Sequence, residues 1–282
     1  MGYKIIPTGP LYDPMPFGPM REPVTTMILC GGMGTRLREE TEYRPKPMVE
    51  IGGRPILWHI MKLYEAAGFA DFVLCLGYKG EVIKEYFLNY EAMNNDFTIC
   101  LGDRNTLKRH GSHLEQTWTV TLAATGHNVM TGARVKRACR YLSSDTFMLT
   151  YGDGVADIDL RALLAFHRRC GTIGTVTGVR PVSRFGELVA TGERVTEFHE
   201  KPHTEYEGLV NGGFFVFERA FLDYLSDDSA CVLERGPLET LSRDGQLSVY
   251  RHSGFWQCMD TYRDYQYLNE LWDQGNPPWK TW

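Results

Sequence analysis

Nowhere in its 282 residues does this chain hold the roughly 20 consecutive apolar residues needed to cross a bilayer. Its first residues also lack a charged segment followed by an apolar one, the mark of a secretory leader. Together these absences predict a soluble, cytoplasmic protein with no membrane partner. Positive charge is scarce too, with a formal net charge of -5. Proteins that coat nucleic acid neutralise many phosphates with Lys and Arg, so the balance argues against that partner, and any anion site must be local. The seven cysteines are odd in number, scattered, and never paired as Cys-x-x-Cys, which indicates neither a disulfide framework nor a zinc site. Cys30 and Cys75 lie in apolar runs and read as small buried hydrophobes. Of the eight histidines only His199 and His203 stand four apart, and Pro202 between them excludes the helix that a His-x-x-x-His zinc pair needs; no Gly-x-Ser-x-Gly elbow occurs either, so zinc hydrolysis and a serine hydrolase find no support.

What is present is enough for one large core: the hydrophobic fraction is 43%. Residues 1–24 carry Pro7, Pro10, Pro14, Pro16, Pro19 and Pro23, which exclude a regular helix or central strand and predict a proline-rich arm, a disordered tail rather than a docked extended segment, before a folded domain over 25–282. Strand and helix patterns then alternate. Thr25 to Cys30, Asp71 to Leu76, Phe97 to Leu101, Thr117 to Ala123 and Phe147 to Tyr151 read as strands. Pro55 to Ala67, Glu81 to Tyr90, Arg134 to Leu142 and Leu160 to Cys170 read as helices. This alternation predicts an α/β fold with a mostly parallel central sheet. Four strand candidates follow closely (173–179, 187–190, 194–200, 213–217) and predict a mixed or antiparallel extension in the second half. Helices return at 219–225, 233–243 and 262–272.

In open parallel sheets, ligands bind beyond the carboxyl ends of the strands. Gly31, Gly32 and Gly34 follow the first strand directly, where bare backbone N–H groups can approach phosphate oxygens and Arg36 adds a fork of donors. Two familiar phosphate loops do not fit: no Gly-Lys-Ser/Thr follows, and Leu37 stands where the dinucleotide fingerprint needs its third glycine or alanine. No helix is expected soon after; Pro45 and Pro47 should instead hold Lys46 in an extended segment. Tyr151-Gly152-Asp153-Gly154 ends another strand with a carboxylate flanked by glycines, which suits a hard divalent cation but also an ordinary Asp-Gly turn. A second acid is then required, and Asp260 is the best candidate, although spacing alone favours a plain helix cap there. Glu200-Lys201-Pro202 and Asn211-Gly212-Gly213 offer a phosphate-binding lysine and hydroxyl-binding groups; each also reads as a solvated turn.

Taken together, GGMGTRL, RPKP, MVEIGGRPILWHI, YGDG, FHEKP, VNGGFFVF and GFWQCMDT resemble the sugar nucleotidyltransferases, in order and spacing from about Met27 onward. ILWHIMKLY, GYKGEVIKEYF, MTGARVKR, RFGEL and PPWKTW are similar to the glucose-1-phosphate cytidylyltransferases among them. The resemblance implies a Rossmann-like nucleotidyltransferase fold, with a nucleotide-binding part over about 25–155 and a sugar-phosphate-binding part over about 156–282. It implies Mg²⁺-assisted transfer from CTP to a hexose 1-phosphate, giving CDP-glucose and pyrophosphate from glucose 1-phosphate. A homo-oligomer is expected, and Trp272, Trp279 and Trp282 read either as its interface or as packing on their own chain. Leu29, Gly31, Gly32, Gly34, Thr35, Arg36, Arg134 and Gly152 would then bind the nucleotide, and Lys46 its α-phosphate. Asp153 and Asp260 would hold Mg²⁺; Glu200, Lys201, Asn211 and Gly212 would receive the sugar phosphate. Arg36, Lys46 and Asp153 would carry the chemistry. Arg44 and Ala133 depart from the lysine and glycine usual in the family, and the resemblance leaves residues 103–116 unanchored. A glycosyltransferase of the same fold would need an Asp-x-Asp metal pair, but Asp157-Ile158-Asp159 reads as a helix start. A sensing homologue without turnover would have no need of two metal acids and two lysines.

Overall fold

Every residue of the strand Thr25–Cys30 is buried, because it runs parallel between Asp71–Leu76 and Thr146–Tyr151 in the middle of a sheet. Successive side chains point to opposite faces. Ile28 and Cys30 therefore enter one core layer, while Met27 and Leu29 enter the other. The computed structural model describes residues 24–32, 34, 36–102, 107–180, 187–199 and 208–282. The expected proline arm up to residue 23, Thr35, Glu200 and Lys201 lie outside the described residues.

Among the described residues the main sheet has seven strands. Their order is Leu247–His252, Gly174–Val179, Val210–Glu218, Thr146–Tyr151, Thr25–Cys30, Asp71–Leu76 and Thr119–Ala124. All neighbours pair in parallel except Val210–Glu218, which runs antiparallel to the strands on both its sides. A mostly parallel sheet with an antiparallel element in its second half is the expected fold class. Reversal of that one strand has a consequence for function: its first residues, Asn211 and Gly212, lie at the same sheet edge as the carboxyl ends of the parallel strands.

Helices cover both faces. Ile56–Ala66 packs Ile56, Leu57, Ile60, Met61, Leu63 and Tyr64 on the Ile28 face, with Pro55 just ahead of it, where a missing N–H costs nothing. Leu160–Cys170 joins it there, capped by Asp159 accepting from the N–H of Ala162 at 2.9 Å and ended by Gly171 at φ 63°. Thr131–Ala138 covers the Met27 face. The carboxyl-terminal tryptophans close the first layer: Trp279 is fully buried and stacks on Phe255, while Trp272 and Trp282 pack around His59. Of the two uses open to these residues, an interface or packing on their own chain, Trp279 takes the second.

Several expectations need correction. Leu247–His252 was not foreseen as a strand; it lies at the sheet edge, pairing on one side only, so its burial alternates weakly. The strand expected at 97–101 forms as Asp96–Ile99 but pairs only with Leu107–His110, in an exposed hairpin apart from the sheet. Glu187–Thr191 and Arg194–His199 likewise pair with each other rather than extending the sheet. The helix expected over 233–243 is confined to Pro237–Arg243, because Gly236 sits at φ 88° before Pro237. Lys46 is not in an extended segment: it opens a 3-10 turn, Lys46–Met48, in which Pro47 occupies a first-turn position that needs no N–H. A single helical turn, Arg38–Thr41, also follows the glycine loop sooner than expected.

Candidate active site

Four parallel strands end side by side at Cys30, Leu76, Ala124 and Tyr151, and a cleft opens beyond them. Leu29, Gly31, Gly32, Gly34, Arg36, Lys46, Arg134, Gly152, Asp153 and Asp260 all line it. The structure thus brings together most of the residues singled out from the sequence, with Pro47, Thr131 and Tyr151 completing the wall.

Carbonyls at the ends of parallel strands point past the sheet and need donors. Arg134 supplies them. Its Nη1 donates to the carbonyls of Leu76 (3.1 Å) and Gly126 (2.7 Å) and to Thr125 Oγ1 (2.8 Å), and its Nη2 to the carbonyls of Gly31 and His127, both at 3.1 Å. The guanidinium is buried, and burial lowers its pKa from the ordinary arginine value. Both terminal nitrogens are turned onto the protein, so Arg134 shapes the loop from beneath while lining the cleft. A Cβ on either Gly31 or Gly77 would run into the Arg134 guanidinium. The glycines are there because the arginine is. Gly152 has a different reason: its N–H donates to the Leu29 carbonyl at 3.0 Å, and a Cβ would meet that same oxygen at 2.8 Å.

The charged centre is compact. Lys46 Nζ lies 2.6 Å from Asp153 Oδ2 and 2.5 Å from Asp260 Oδ1. Burial opposes the charge on Lys46, but Asp153 and then Asp260 outweigh it and hold the pKa above the ordinary lysine value. Arg36 reaches Asp260 Oδ2 at 3.2 Å from an exposed position, where an ion pair holds little and the guanidinium stays free to turn to another anion. Asp260 is not the helix cap that spacing favoured. Thr261 caps Tyr262–Asp273, with Asp264 completing the capping box and also accepting from the backbone N–H of Asp260 at 3.1 Å. The carboxylate of Asp260 is thereby left to face Lys46.

Two carboxylates focused on one small cation fit a hard metal ion. No cluster of three or more His, Cys, Asp or Glu side chains able to hold a metal occurs among the described residues. An ion at Asp153 and Asp260 would therefore fill its shell with phosphate and water oxygens, as a hard divalent cation can.

Beside Tyr151, Asn211 and Gly212 follow Val210 at the start of the reversed strand. Asn211 Oδ1 accepts from the N–H of Gly213 at 2.8 Å, and Nδ2 donates to Tyr151 Oη at 3.2 Å. The Gly212 carbonyl accepts from Trp256 Nε1 at 2.7 Å. Sequence reasoning missed Tyr151 as more than a flanking residue, and missed Thr131 and Glu234 altogether. Only Thr131, three residues before Arg134 in a segment already noted, offered any signal.

Comparison with known proteins agrees with this geometry. The family model described as nucleotidyl transferase matches residues 25–242. The chain is 49% identical over 257 residues to a glucose-1-phosphate cytidylyltransferase of Salmonella typhimurium, covering 91% of this chain and 98% of that protein. It is 46% identical over 256 residues to a probable glucose-1-phosphate cytidylyltransferase of Bacillus subtilis, covering 91% and 99%. Among solved structures, HddC from Yersinia pseudotuberculosis shares the fold with a TM-score of 0.63 at 23% identity, over 88% of this chain and 99% of that one.

Proposed function

This chain belongs to the nucleotidyl transferase family, and on that footing we propose that it transfers the cytidylyl group of CTP to glucose 1-phosphate, forming CDP-glucose and pyrophosphate. The observation that carries the reading is the Asp153–Lys46–Asp260 cluster at the strand ends, in a chain nearly half identical along its length to a cytidylyltransferase of that substrate.

The chemistry asks for little beyond alignment and charge. A phosphate oxygen of glucose 1-phosphate attacks the α-phosphorus of CTP in line, and the bond to the bridging oxygen breaks as its electron pair leaves with pyrophosphate. The nucleophile is already an anion at neutral pH, so no general base is needed. Lys46, held charged, is assigned to the α-phosphate; Arg36 and the N–H groups of the Gly31–Gly34 loop are assigned to the remaining phosphates. Asp153 and Asp260 would hold Mg²⁺, which when bound supplies positive charge opposite the charge developing on pyrophosphate. Lys201, Glu200, Asn211 and Gly212 are assigned to the sugar phosphate, so residues 25–155 carry the nucleotide and 156–282 its acceptor.

The proposal extends to location and assembly. Highly charged phosphate esters do not cross membranes unaided, and among the described residues no helix is long and apolar enough to span one, which supports a cytoplasmic enzyme. Phe97, Ile99 and Leu107 stand exposed on the hairpin, an apolar surface that supports a homo-oligomer.

Pyrophosphate release with CTP, UTP, dTTP, ATP and GTP against a panel of hexose 1-phosphates, with and without Mg²⁺, tests the reading. Turnover should be greatest with CTP and glucose 1-phosphate and should require the metal. Preference for another pair would move the substrate assignment, and silence across the panel would remove the activity.

A further inference from the structure

We propose that Glu234 is a positioning residue for the sugar-phosphate side of the cleft: by taking the proton of Tyr151 it leaves the Tyr151 oxygen to accept from Asn211, and so holds in place the amide whose second proton faces the acceptor substrate. The inference rests on reading this cleft as a sugar 1-phosphate site. Chemistry assigns every proton in the chain. The backbone N–H of Gly213 can only donate, and it meets the Asn211 amide at 2.8 Å, so the atom facing it is the oxygen. The other amide atom, 3.2 Å from Tyr151 Oη, is then the nitrogen. That nitrogen has only protons to give, so Tyr151 Oη accepts from it and sends its own proton onward to Glu234 Oε1. An ionised carboxylate accepts and cannot donate, so the chain ends there.

The second oxygen of Glu234 accepts from Thr131 Oγ1 at 2.9 Å, and Thr131 Oγ1 in turn accepts from the N–H of Leu233 at 2.9 Å. Glu234 thus terminates two chains arriving from opposite sides. Thr131 opens the helix that carries Arg134, while Asn211 lies at the start of the reversed strand. The Tyr151 ring has little freedom to leave: Gly213, at φ 82°, lies over it so closely that a Cβ would meet Tyr151 Cδ2 at 2.6 Å. One proton of Asn211 Nδ2 is used on Tyr151. Asn211 is exposed, and its second proton is presented to acceptor oxygens, which a phosphate and the lone pairs of sugar hydroxyls supply. A neutral amide in place of Glu234 has one acceptor atom for two hydroxyl protons, so one of the two chains must lose its direction.

The test compares wild type with Glu234→Gln, Tyr151→Phe and the double variant. Glu234→Gln and Tyr151→Phe should each raise KM for glucose 1-phosphate about tenfold, the size of one hydrogen bond to a charged group, with kcat and melting temperature little changed. The double variant should be no worse than either single one. Unchanged KM in Glu234→Gln, or losses that multiply in the double variant, would overturn the proposal. A second measurement needs no turnover. With ¹⁵N-labelled asparagine, the side-chain amide pair of Asn211 is identified by its loss in Asn211→Ala, and it should shift in Glu234→Gln; a pair that does not move sinks the chain. A wild-type protein silent toward CTP and glucose 1-phosphate would instead remove the activity proposed above, leaving the amide signal to decide the role of Glu234.

Discussion

Asp153 and Asp260 are tied together through backbone: the N–H of Met259 donates to the Asp153 carbonyl at 2.8 Å, and Cys258 stands opposite Gly154 in a short antiparallel pair. The distance between the two acids is therefore set by a ladder, and either carboxylate can be altered without moving the other. Asp153→Asn and Asp260→Asn should each lower metal-dependent pyrophosphate release by on the order of 100-fold or more, with far-ultraviolet dichroism unchanged. Wild-type rates in both variants would show that the pair does not serve the reaction.

Lys46 lies between both acids, so its removal takes away the positive charge they share, with Arg36 still on Asp260. Lys46→Ala should abolish turnover, and it should also alter the response to metal. A ligand that binds only the folded state stabilises it by mass action, so Mg²⁺ should raise the melting temperature of Lys46→Ala more than that of wild type. Adding Asp153→Asn should cancel the difference. Equal shifts in all three proteins would count against a cation site at these acids.

Arg134 and Gly31 occupy adjoining space, and their substitutions should not add. Gly31→Ala should cost about 1–3 kcal/mol in wild type, the usual scale for overpacking, and distinctly less once Arg134→Ala has cleared the clash. Urea unfolding of the two single variants and the double one gives the coupling energy. A coupling of zero would mean that the arginine is not what forbids a side chain at Gly31.

His59 sets an acid limit on stability. Its Nε2 bonds to the Ile51 carbonyl at 2.8 Å, and its Nδ1 accepts from Trp279 Nε1 at 3.4 Å, a neutral arrangement, and burial pushes its pKa down to about 4. Below pH 6.5 the unfolded chain takes up a proton that folded His59 refuses until about pH 4. This contribution is fully present above pH 6.5 and is lost as pH falls toward 4, amounting to about 3 kcal/mol. Melting curves read by tryptophan fluorescence should show that slope, and His59→Gln should flatten it. An equal slope in the variant would assign the acid sensitivity elsewhere.

Local patterns were legible in the sequence wherever a segment's own residues decide its state. Thr25–Cys30, Asp71–Leu76 and Leu160–Cys170 form at the bounds that apolar runs and flanking glycines announce. The identity of the cleft was legible for the same reason: glycines after a strand and a carboxylate between glycines are short-range signals, and their position at strand ends follows from a parallel sheet. Tertiary structure decided what depends on partners distant in the chain. Leu247–His252 is a strand because the edge of Gly174–Val179 accepts it, whereas Asp96–Ile99, no less strand-like in pattern, finds only its own hairpin mate. Asp260 could be read as cap or ligand until Asp264 took the capping work and Lys46 appeared opposite. The turn of Arg134 onto carbonyls, and the meeting of Glu234 with Tyr151 and Thr131, have no motif, because hydrogen-bond partners are chosen by which groups the fold brings within hydrogen-bonding distance of one another. The sequence determined the elements and the chemistry available to them; the packing of strands against one another decided which of those groups meet.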